Sequence, residues 1–333
     1  MTAPQPLAPT SAPLAVRHAH ASDPAVLLGP HTLALFGFGD RAPRQLPDPR
    51  YVWLPLEPLL GGPCFEAWEC DGRVEPFAAA AAGLPRGARC GGLEFAQLDC
   101  TQEDAGSAAE TAYARLQAHR LGGGHPHLLK VWNFLDGLLE GTGDNERYRR
   151  FCVGRAAALP LPESDLPAAT AIGYRNGDRG LRMHWLAATQ PGEPVENPRQ
   201  VPAYRYPRSY GPQAPGFARA MLAPAGSALP LLISGTAAVV GHASAHPGRA
   251  AEQLREIRQN LDSLLQAAAE RRPHLPALLG AASPLRLYLR EPAQAAMLAQ
   301  LLDELLPSAV PRILLQGDIC RAELAVEIDG FHG

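Results

Sequence analysis

The sequence predicts an α/β protein built from two related units, each a mixed β-sheet packed by helices. Segments with helical spacing of apolar residues alternate along the chain with segments of strand-like composition. The order strand, helix, strand, helix, strand occurs once in each half. With 333 residues, of which 46% are hydrophobic and 19% charged, the chain is long enough to bury the cores of two such units.

The first half contains two predicted helices and three predicted strands. The helices cover residues 107–121 and 145–158, and the strands cover residues 127–135, 169–175 and 181–187. Apolar residues at helical spacing support the first helix, which ends at a run of glycines beginning with Gly122. Asn176 and Gly177 predict a tight hairpin that joins the last two strands.

The second half repeats this order. Its predicted helices cover residues 251–272 and 292–306, and its predicted strands cover residues 285–289, 312–315 and 319–328. Leu254, Ile257 and Leu261 share one face of the first of these helices, which is therefore amphipathic. Pro292 suits the first turn of the second helix.

Composition suggests where the units begin and end. We expect a disordered or loosely ordered arm at residues 1–25, an N-terminal unit at 26–160 and a C-terminal unit at 161–333 that carries much of the active site. Residues 160–167, which begin and end with proline, are a plausible linker.

Charge and cysteine usage exclude several classes of function. The net charge of -3 and the pI of about 6.4 argue against a nucleic-acid-binding protein. The basic residues are nearly all arginine, and Lys130 is the only lysine. The six cysteines form no CxxC pair, which argues against a zinc ribbon or a thioredoxin-type site. Without a secretory leader or a long apolar run, we expect a cytoplasmic protein with reduced thiols and no membrane contact.

The last predicted strand is the first candidate for chemistry. From Cys320 to Asp329 apolar and polar residues alternate, which is typical of a half-buried strand with one polar face. The alternative is that a carboxyl of this strand lies in a cleft. Burial would raise the pKa of such a group, and it could then deliver a proton at neutral pH.

Three further segments carry candidate binding residues. Tyr148 and Arg155 lie two turns apart on one face of a predicted helix and could clamp a carboxylate, although an ordinary surface helix has the same pattern. Three tyrosines and three arginines fall between Arg199 and Tyr210, in a proline-rich segment that suits either a functional loop or an exposed one. Gly235, after an apolar strand, would let the backbone approach a ligand closely.

Common cofactor and hydrolase motifs are missing from the sequence. It contains no GxGxxG, GxxxxGK or GxSxG motif. His119, His125 and His127 lie near one another in the sequence, but their spacing fits no standard zinc pattern.

Together these segments resemble the chorismatase family, whose two halves are related to the RidA/YjgF (chorismate mutase-like) fold. The resemblance covers residues 125–330 and rests on six stretches in this order: VWNFL from Val131, NERYRRF from Asn145, GYRNG from Gly173, ENPRQVPAYRYP from Glu196, SGTAAVVGH from Ser234 and GDICRAELAVEI from Gly317. Each stretch is weak alone, and their joint occurrence is specific.

The resemblance implies an enzyme that cleaves the enol ether of chorismate and releases pyruvate, a lyase or hydrolase that needs neither metal nor organic cofactor. Glu327 resembles the family's proton donor or relay. Cys320 resembles a cysteine of the members that make 3-hydroxybenzoate, whereas dihydrodiol-forming members have a small residue there.

Five positions resemble substrate-binding residues of the family: Tyr148, Arg155, Tyr204, Arg219 and Ala237. Tyr206 fits the same Tyr-x-Tyr-Pro motif as Tyr204, so either tyrosine could contact the substrate. An alanine at position 237 is nearer to the dihydrodiol-forming members.

The sequence thus leaves several functions open. The first is a chorismatase that gives 3-hydroxybenzoate, with or without 4-hydroxybenzoate. A second is a chorismate hydrolase that gives the dihydrodiol. The third is a non-catalytic RidA-like binding protein. Such proteins are commonly trimers with sites between subunits, whereas two units in one chain could form the cleft internally, so we expect a monomer.

The two catalytic candidates also pose a geometric problem. Cys320 and Glu327 are seven residues apart, so on a regular strand their side chains would point to opposite faces. They can serve one pocket only if the strand is irregular. We therefore predict an irregularity between Gly317 and Glu323.

Overall fold

The structure, a computed structural model, describes residues 14–333. Residues 1–13 of the expected arm lie outside the described residues, and the rest of that arm begins with a strand. The first four strands are β1 (Leu14–Ala19), β2 (Thr32–Phe38), β3 (Tyr51–Leu54) and β4 (Phe65–Cys70). They form one sheet in the order β1-β4-β2-β3, in which β2 and β3 are parallel.

The second sheet has six strands in the order β5-β6-β7-β10-β8-β9. Its elements are β5 (Glu75–Phe77), β6 (Arg86–Cys90), β7 (Leu93–Thr101), α1 (Ala105–Gly122), β8 (His127–Asp136), α2 (Arg147–Ala158), β9 (Ala168–Tyr174) and β10 (Gly180–Ala188). Strands β8 and β9 are parallel, and β10 is antiparallel to both of its neighbours.

The third sheet repeats this topology in the order β11-β12-β13-β18-β16-β17. The elements of this unit are β11 (Glu193–Val195), β12 (Ala220–Leu222), β13 (Leu231–Ala237), β14 (Val239–Val240), β15 (Ala243–Ser244), α3 (Ala250–Arg271), β16 (Leu285–Leu289), α4 (Ala295–Leu305), β17 (Arg312–Gln316) and β18 (Val326–His332). Strands β14 and β15 form a separate hairpin. The repeat confirms the predicted fold class of two related α/β units in one chain.

The first sheet is a shortened version of the same unit, which the sequence did not reveal. Its order β1-β4-β2-β3 matches β13-β18-β16-β17 strand for strand, including the parallel pair. Only a short 3-10 turn at Pro24–Leu27 stands between β1 and β2, where the third sheet has α3. The described chain therefore contains two complete units and one partial unit.

Two expectations about the middle of the chain were wrong. The boundary expected at residues 160/161 falls inside the second sheet, because β9 and β10 both pair with β8. For the same reason β9 and β10 are not a hairpin: β8 lies between them. The connection crosses the end of β8, where the Asp136 carboxylate accepts hydrogen bonds from the backbone N–H groups of Asn176, Gly177 and Arg179.

Buried ion pairs join the three sheets at their centre. Arg286 of β16 donates to Glu66 of β4 at 2.6 Å, and Lys130 of β8 donates to Asp329 of β18 at 3.1 Å. All four side chains are almost completely buried. Breaking one such pair leaves an uncompensated buried charge, so these contacts fix how the sheets are placed around the site.

Helix α2 is held against α1 by a very close backbone approach. A Cβ atom added at Gly154 would lie 1.9 Å from the carbonyl oxygen of Gly106. The Asp104 side chain caps α1 by accepting from the backbone N–H of Ser107 at 2.8 Å. None of the helices within residues 14–333 is long and apolar enough to cross a membrane.

Candidate active site

A cavity of about 350 Å³ lies between the second and third sheets. Helix α2 and strands β8 and β9 line it from one side, and β13 and the start of β18 line it from the other. A segment at residues 206–217 contributes to the wall as well. Among the residues predicted from the sequence, the cavity brings together Tyr148, Arg155, Arg219, Ala237, Cys320 and Glu327.

Glu327 lies in β18, is only 4% exposed and faces Gly235 of the neighbouring strand β13. A Cβ atom at Gly235 would lie 2.0 Å from Oε1 of Glu327, so only glycine leaves room for this carboxyl. The register of the two strands shifts between Ile233 and Thr236, which places the glycine at an irregularity.

The surroundings of Glu327 favour its protonated form. Burial and then the charge of Asp329 raise its pKa to about 8, while Lys130 and Arg219 act in the opposite direction. A carboxylic acid with that pKa is mostly protonated at neutral pH. It can therefore serve as a proton donor inside the cavity.

Asp329 is surrounded by hydrogen-bond donors. One of its carboxylate oxygens, Oδ2, accepts from Trp132 at 2.6 Å, from Thr170 at 2.7 Å and from Lys130 at 3.1 Å. The other accepts from the Tyr288 hydroxyl at 3.2 Å. Four donors, one of them cationic, therefore hold the Asp329 carboxyl group in place behind Glu327.

Cys320 does not lie in a strand. Strand β18 begins only at Val326, and residues 320–323 form a bend and a turn, which confirms the predicted irregularity between Gly317 and Glu323. This turn lets Cys320 and Glu327 line one cavity. Burial and the nearby Glu327 raise the pKa of the Cys320 thiol to about 12, so the thiol is protonated at neutral pH.

Helix α2 presents four polar side chains to the cavity, at positions 148, 149, 152 and 155. Burial and the neighbouring Cys152 raise the pKa of the Tyr148 hydroxyl well above its ordinary value. Arg155 donates to the carbonyl oxygen of Gly216 at 2.6 Å and lies over the Tyr113 ring at 5.3 Å. The face predicted from the spacing of Tyr148 and Arg155 is therefore the cavity-lining face of this helix.

Arg219 is the best placed cation for an anionic ligand. It is 5% exposed and donates to the Tyr206 hydroxyl at 2.6 Å and to the carbonyl oxygen of Val201 at 3.0 Å. Its buried Nε has no hydrogen-bond partner among the described residues. A buried donor without a partner is costly, so the site suits a ligand that supplies an acceptor.

The two tyrosines of the Tyr-x-Tyr-Pro motif have different places. Tyr206 lines the cavity and holds Arg219, whereas Tyr204 is not among the lining residues. The Tyr204 ring lies under the Arg205 guanidinium at 5.5 Å instead. Of the two tyrosines that the motif left open, Tyr206 is therefore the one that lines the cavity, and Tyr204 is not brought to it.

Sequence reasoning missed the contacts that Arg321 and Arg208 make in and beside the cavity wall. The Arg321 guanidinium stacks on the rings of Tyr210 at 3.9 Å and Tyr206 at 5.1 Å. Arg208, in the same segment, forms an ion pair with Asp144 of the second unit at 2.5 Å. The many tyrosines and arginines of residues 199–210 indicated that such contacts could form, but composition alone does not predict which side chains stack on one another.

Comparisons with known proteins point to one family. The family model described as "Chorismatase FkbO/Hyg5-like, N-terminal" matches residues 66–187. A 3-hydroxybenzoate synthase of Streptomyces hygroscopicus is 35% identical over 218 residues, and a chorismatase of Streptomyces rapamycinicus is 36% identical over 217 residues. Each match covers 62% of this chain and 64% of the relative, so the chain spans slightly less than two thirds of the length of these relatives.

A solved chorismatase structure extends the likeness to the whole fold. It superimposes with a TM-score of 0.80 at 26% sequence identity. The superposition covers 97% of this chain and 99% of the other. The likeness in fold therefore extends beyond the region matched by the family model.

Proposed function

We propose that this chain is a chorismatase of the FkbO/Hyg5-like family and that it cleaves chorismate to pyruvate and 3-hydroxybenzoate. One observation supports the proposal above the others. Glu327 is a buried carboxylic acid whose pKa is raised to about 8 by burial, in a cavity that also contains Arg219. Cleavage of an enol ether begins with protonation of carbon, which needs such an acid.

In the proposed reaction Glu327 donates its proton to the methylene carbon of the enolpyruvyl group. The bond between the ring and the ether oxygen then breaks, and that oxygen becomes the keto oxygen of pyruvate. The neighbouring ring hydroxyl displaces the leaving group, loses its proton and forms a three-membered cyclic ether with the two ring carbons. The bond from this oxygen to its original carbon then breaks, and the carbon that keeps the oxygen loses its proton to give the aromatic product. The reaction needs no water. The ring hydroxyl and a ring carbon each lose one proton; one of these protons restores the acid form of Glu327, and the other protonates the new phenol oxygen.

Cys320 acts in this scheme as a neutral thiol. Because burial raises its pKa to about 12, it is a hydrogen-bonding and space-filling group beside the ring and does not act as a thiolate base. We propose that it steers the ring oxygen and the ring proton toward the aromatic product. Hydrolysis by water would give the dihydrodiol instead, and Ala237 in the cavity wall favours this as the second product.

The two carboxylates of chorismate need two clamps. We propose Arg219, supported by Tyr206, for one carboxylate and Arg155, supported by Tyr148, for the other. Both guanidinium groups line the cavity wall and carry the positive charge that a carboxylate needs, and the unpartnered Nε–H of Arg219 can donate to a ligand oxygen.

The experiment that tests the function is incubation of the purified protein with chorismate, with pyruvate measured enzymatically and ring products separated by chromatography. We expect pyruvate and 3-hydroxybenzoate in equal amounts. 4-Hydroxybenzoate or the dihydrodiol would correct the product while keeping the cleavage. Absence of pyruvate would contradict the proposal and favour a non-catalytic binding protein.

We further propose that the protein acts as a monomer in the cytoplasm. The cavity is built from two units of one chain, so a second copy is not needed to complete it. All six cysteines are free thiols, which suits a reducing compartment. Light scattering coupled to size-exclusion chromatography should give the mass of one chain, and a trimer would contradict this.

A further inference from the structure

We propose that Arg290, which lies outside the cavity, is the positioning residue that holds the Cys320 turn in place and thereby sets the product. Arg290 follows β16 and is 12% exposed. It does not line the cavity and touches no position proposed to contact substrate. Its influence would be exerted through the backbone of residues 319–322.

The guanidinium of Arg290 donates to three carbonyl oxygens that surround Cys320. Nη2 donates to Ile319 at 3.1 Å and to Arg321 at 2.8 Å, and Nη1 donates to Ala322. The turn has one backbone hydrogen bond of its own, from the N–H of Leu324 to the carbonyl of Arg321 at 3.1 Å. A single side chain therefore holds the carbonyls of residues 319, 321 and 322. The carbonyl of Glu323 is held separately, by the backbone N–H of Gly248 at 3.3 Å and the side chain of Gln253 at 2.8 Å.

Arg290 is itself tied to the second unit through Asp318. Its Nε lies 3.3 Å from the Asp318 carboxylate, which also pairs with Arg175 at 2.6 Å. The backbone of Asp318 exchanges hydrogen bonds of 2.8 and 2.9 Å with Gly173 at the end of β9. These contacts place the Cys320 turn relative to the sheet that supports Tyr148 on the opposite wall of the cavity.

Only an arginine can make this set of contacts. Its planar fork presents donors in fixed directions, so one group can reach several carbonyls and a carboxylate at once. A lysine keeps the positive charge beside Asp318 but concentrates its donors at one point. Arg290→Lys therefore keeps the positive charge and removes the arrangement of donors, so comparison with the wild type tests the hydrogen-bond geometry alone.

The test uses Arg290→Lys and Arg290→Gln, with Arg312→Lys as the matched control. Arg312 lies in the adjacent strand β17, pairs with Asp303 and does not contact the turn. The first readout is the rate at which N-ethylmaleimide alkylates Cys320 in the folded protein, followed by peptide mass spectrometry. Cys320 is partly exposed and the other five cysteines are buried, so its labelling can be resolved.

We expect both Arg290 variants to label Cys320 about tenfold faster than the wild type, since the turn opens more often without its charge-assisted hydrogen bonds. The second readout is the product ratio with chorismate, and this half of the inference rests on the proposed function. We expect a smaller aromatic fraction at a pyruvate release rate within about tenfold of the wild type, with the control unchanged on both readouts.

The outcomes separate the two proposals. If the wild type releases no pyruvate, the proposed function fails and the labelling rate alone decides the positioning role. If Arg290→Lys has the labelling rate and product ratio of the wild type, Arg290 does not position the turn. The inference also fails if Cys320 is labelled faster only in Arg290→Gln, if the Tm of that variant is lowered, and if Arg290→Lys keeps the wild-type labelling rate. That result would show a general loss of stability.

Discussion

Glu327 and Asp329 lie two residues apart on β18, so their side chains point to the same face of the sheet, and the negative charge of Asp329 helps to raise the pKa of Glu327. The two carboxyls have different environments. Asp329 receives four hydrogen bonds, one of them from Lys130, whereas Glu327 faces the cavity. One strand thus carries, side by side, a carboxyl group held by four donors and a carboxyl group whose raised pKa suits the proton donor that we propose.

The first prediction concerns Glu327 itself. Glu327→Gln keeps the size of the side chain but removes the acidic proton, so pyruvate release from chorismate should fall about 10²–10⁴-fold. The measurement is kcat from a coupled pyruvate assay, with Tm recorded to confirm folding. Glu270→Gln, at the end of α3 and away from the cavity, is the control and should keep full activity.

The pH dependence follows from the same carboxyl. Glu327 donates only when protonated, so kcat/KM should be steady at neutral pH and fall as the pH rises through about 8. Asp329→Asn keeps the shape of that side chain but removes its charge, which lowers the pKa of Glu327. The fall in kcat/KM should then begin at a lower pH. If kcat/KM of this variant still falls near pH 8, the charge of Asp329 does not raise the pKa of Glu327.

Cys320→Ala tests the choice of product. We expect pyruvate release to continue, because Glu327 remains, while the fraction of 3-hydroxybenzoate falls and the dihydrodiol rises. Chromatography of the ring products measures the ratio. Cys64→Ala, a buried cysteine of the first unit that does not line the cavity, controls for the loss of a thiol. An unchanged ratio in Cys320→Ala would remove Cys320 from the mechanism.

Several of these site residues could be predicted from the sequence because each belongs to a local pattern. Helical spacing placed Tyr148 and Arg155 on one face, and the odd separation of Cys320 and Glu327 required the turn that the structure contains. The choice between Tyr204 and Tyr206 could not be made, because a Tyr-x-Tyr motif in irregular backbone has no period to orient it.

Long-range contacts account for what the sequence did not predict. The Asn176-Gly177 turn looks like a hairpin locally, and only the insertion of β8 between β9 and β10 shows otherwise. Likewise nothing near Arg290 in the sequence indicates that its guanidinium would reach residues 319–322. The partial first unit escaped notice because it lacks the helix that marks each complete unit.

Gly235 should be required for activity because of its contact with Glu327. In Gly235→Ala the new Cβ would lie 2.0 Å from Oε1 of Glu327, so the carboxyl must move from its position in the cavity. A displacement of about 1 Å in a catalytic group can lower the rate about 10²-fold, and we expect a loss of that size in kcat. Gly280→Ala is the control, since no atom lies within 4 Å of a Cβ built there.

The last prediction concerns stability and rests on His184, which is fully buried in β10 among aromatic rings. It stacks on Trp132 at 5.0 Å and on Phe134 at 5.6 Å, and neither ring nitrogen has a hydrogen-bond partner among the described residues. Burial, and then the charge of Arg286, lower the pKa of His184 well below its ordinary value. The folded protein therefore holds this imidazole neutral at pH values where the unfolded chain protonates it.

The sign of the effect follows from that difference. Above about pH 6.5 both states hold a neutral imidazole, and as the pH falls below this value only the unfolded state takes up the proton, so His184 lowers the free energy of unfolding by about 1.4 kcal/mol per pH unit. His184→Phe should remove this part of the slope between pH 6.5 and 5 in urea titrations. His20→Phe, at an exposed position, is the matched control and should keep the wild-type slope. An unchanged slope in His184→Phe would show that another group causes the acid sensitivity.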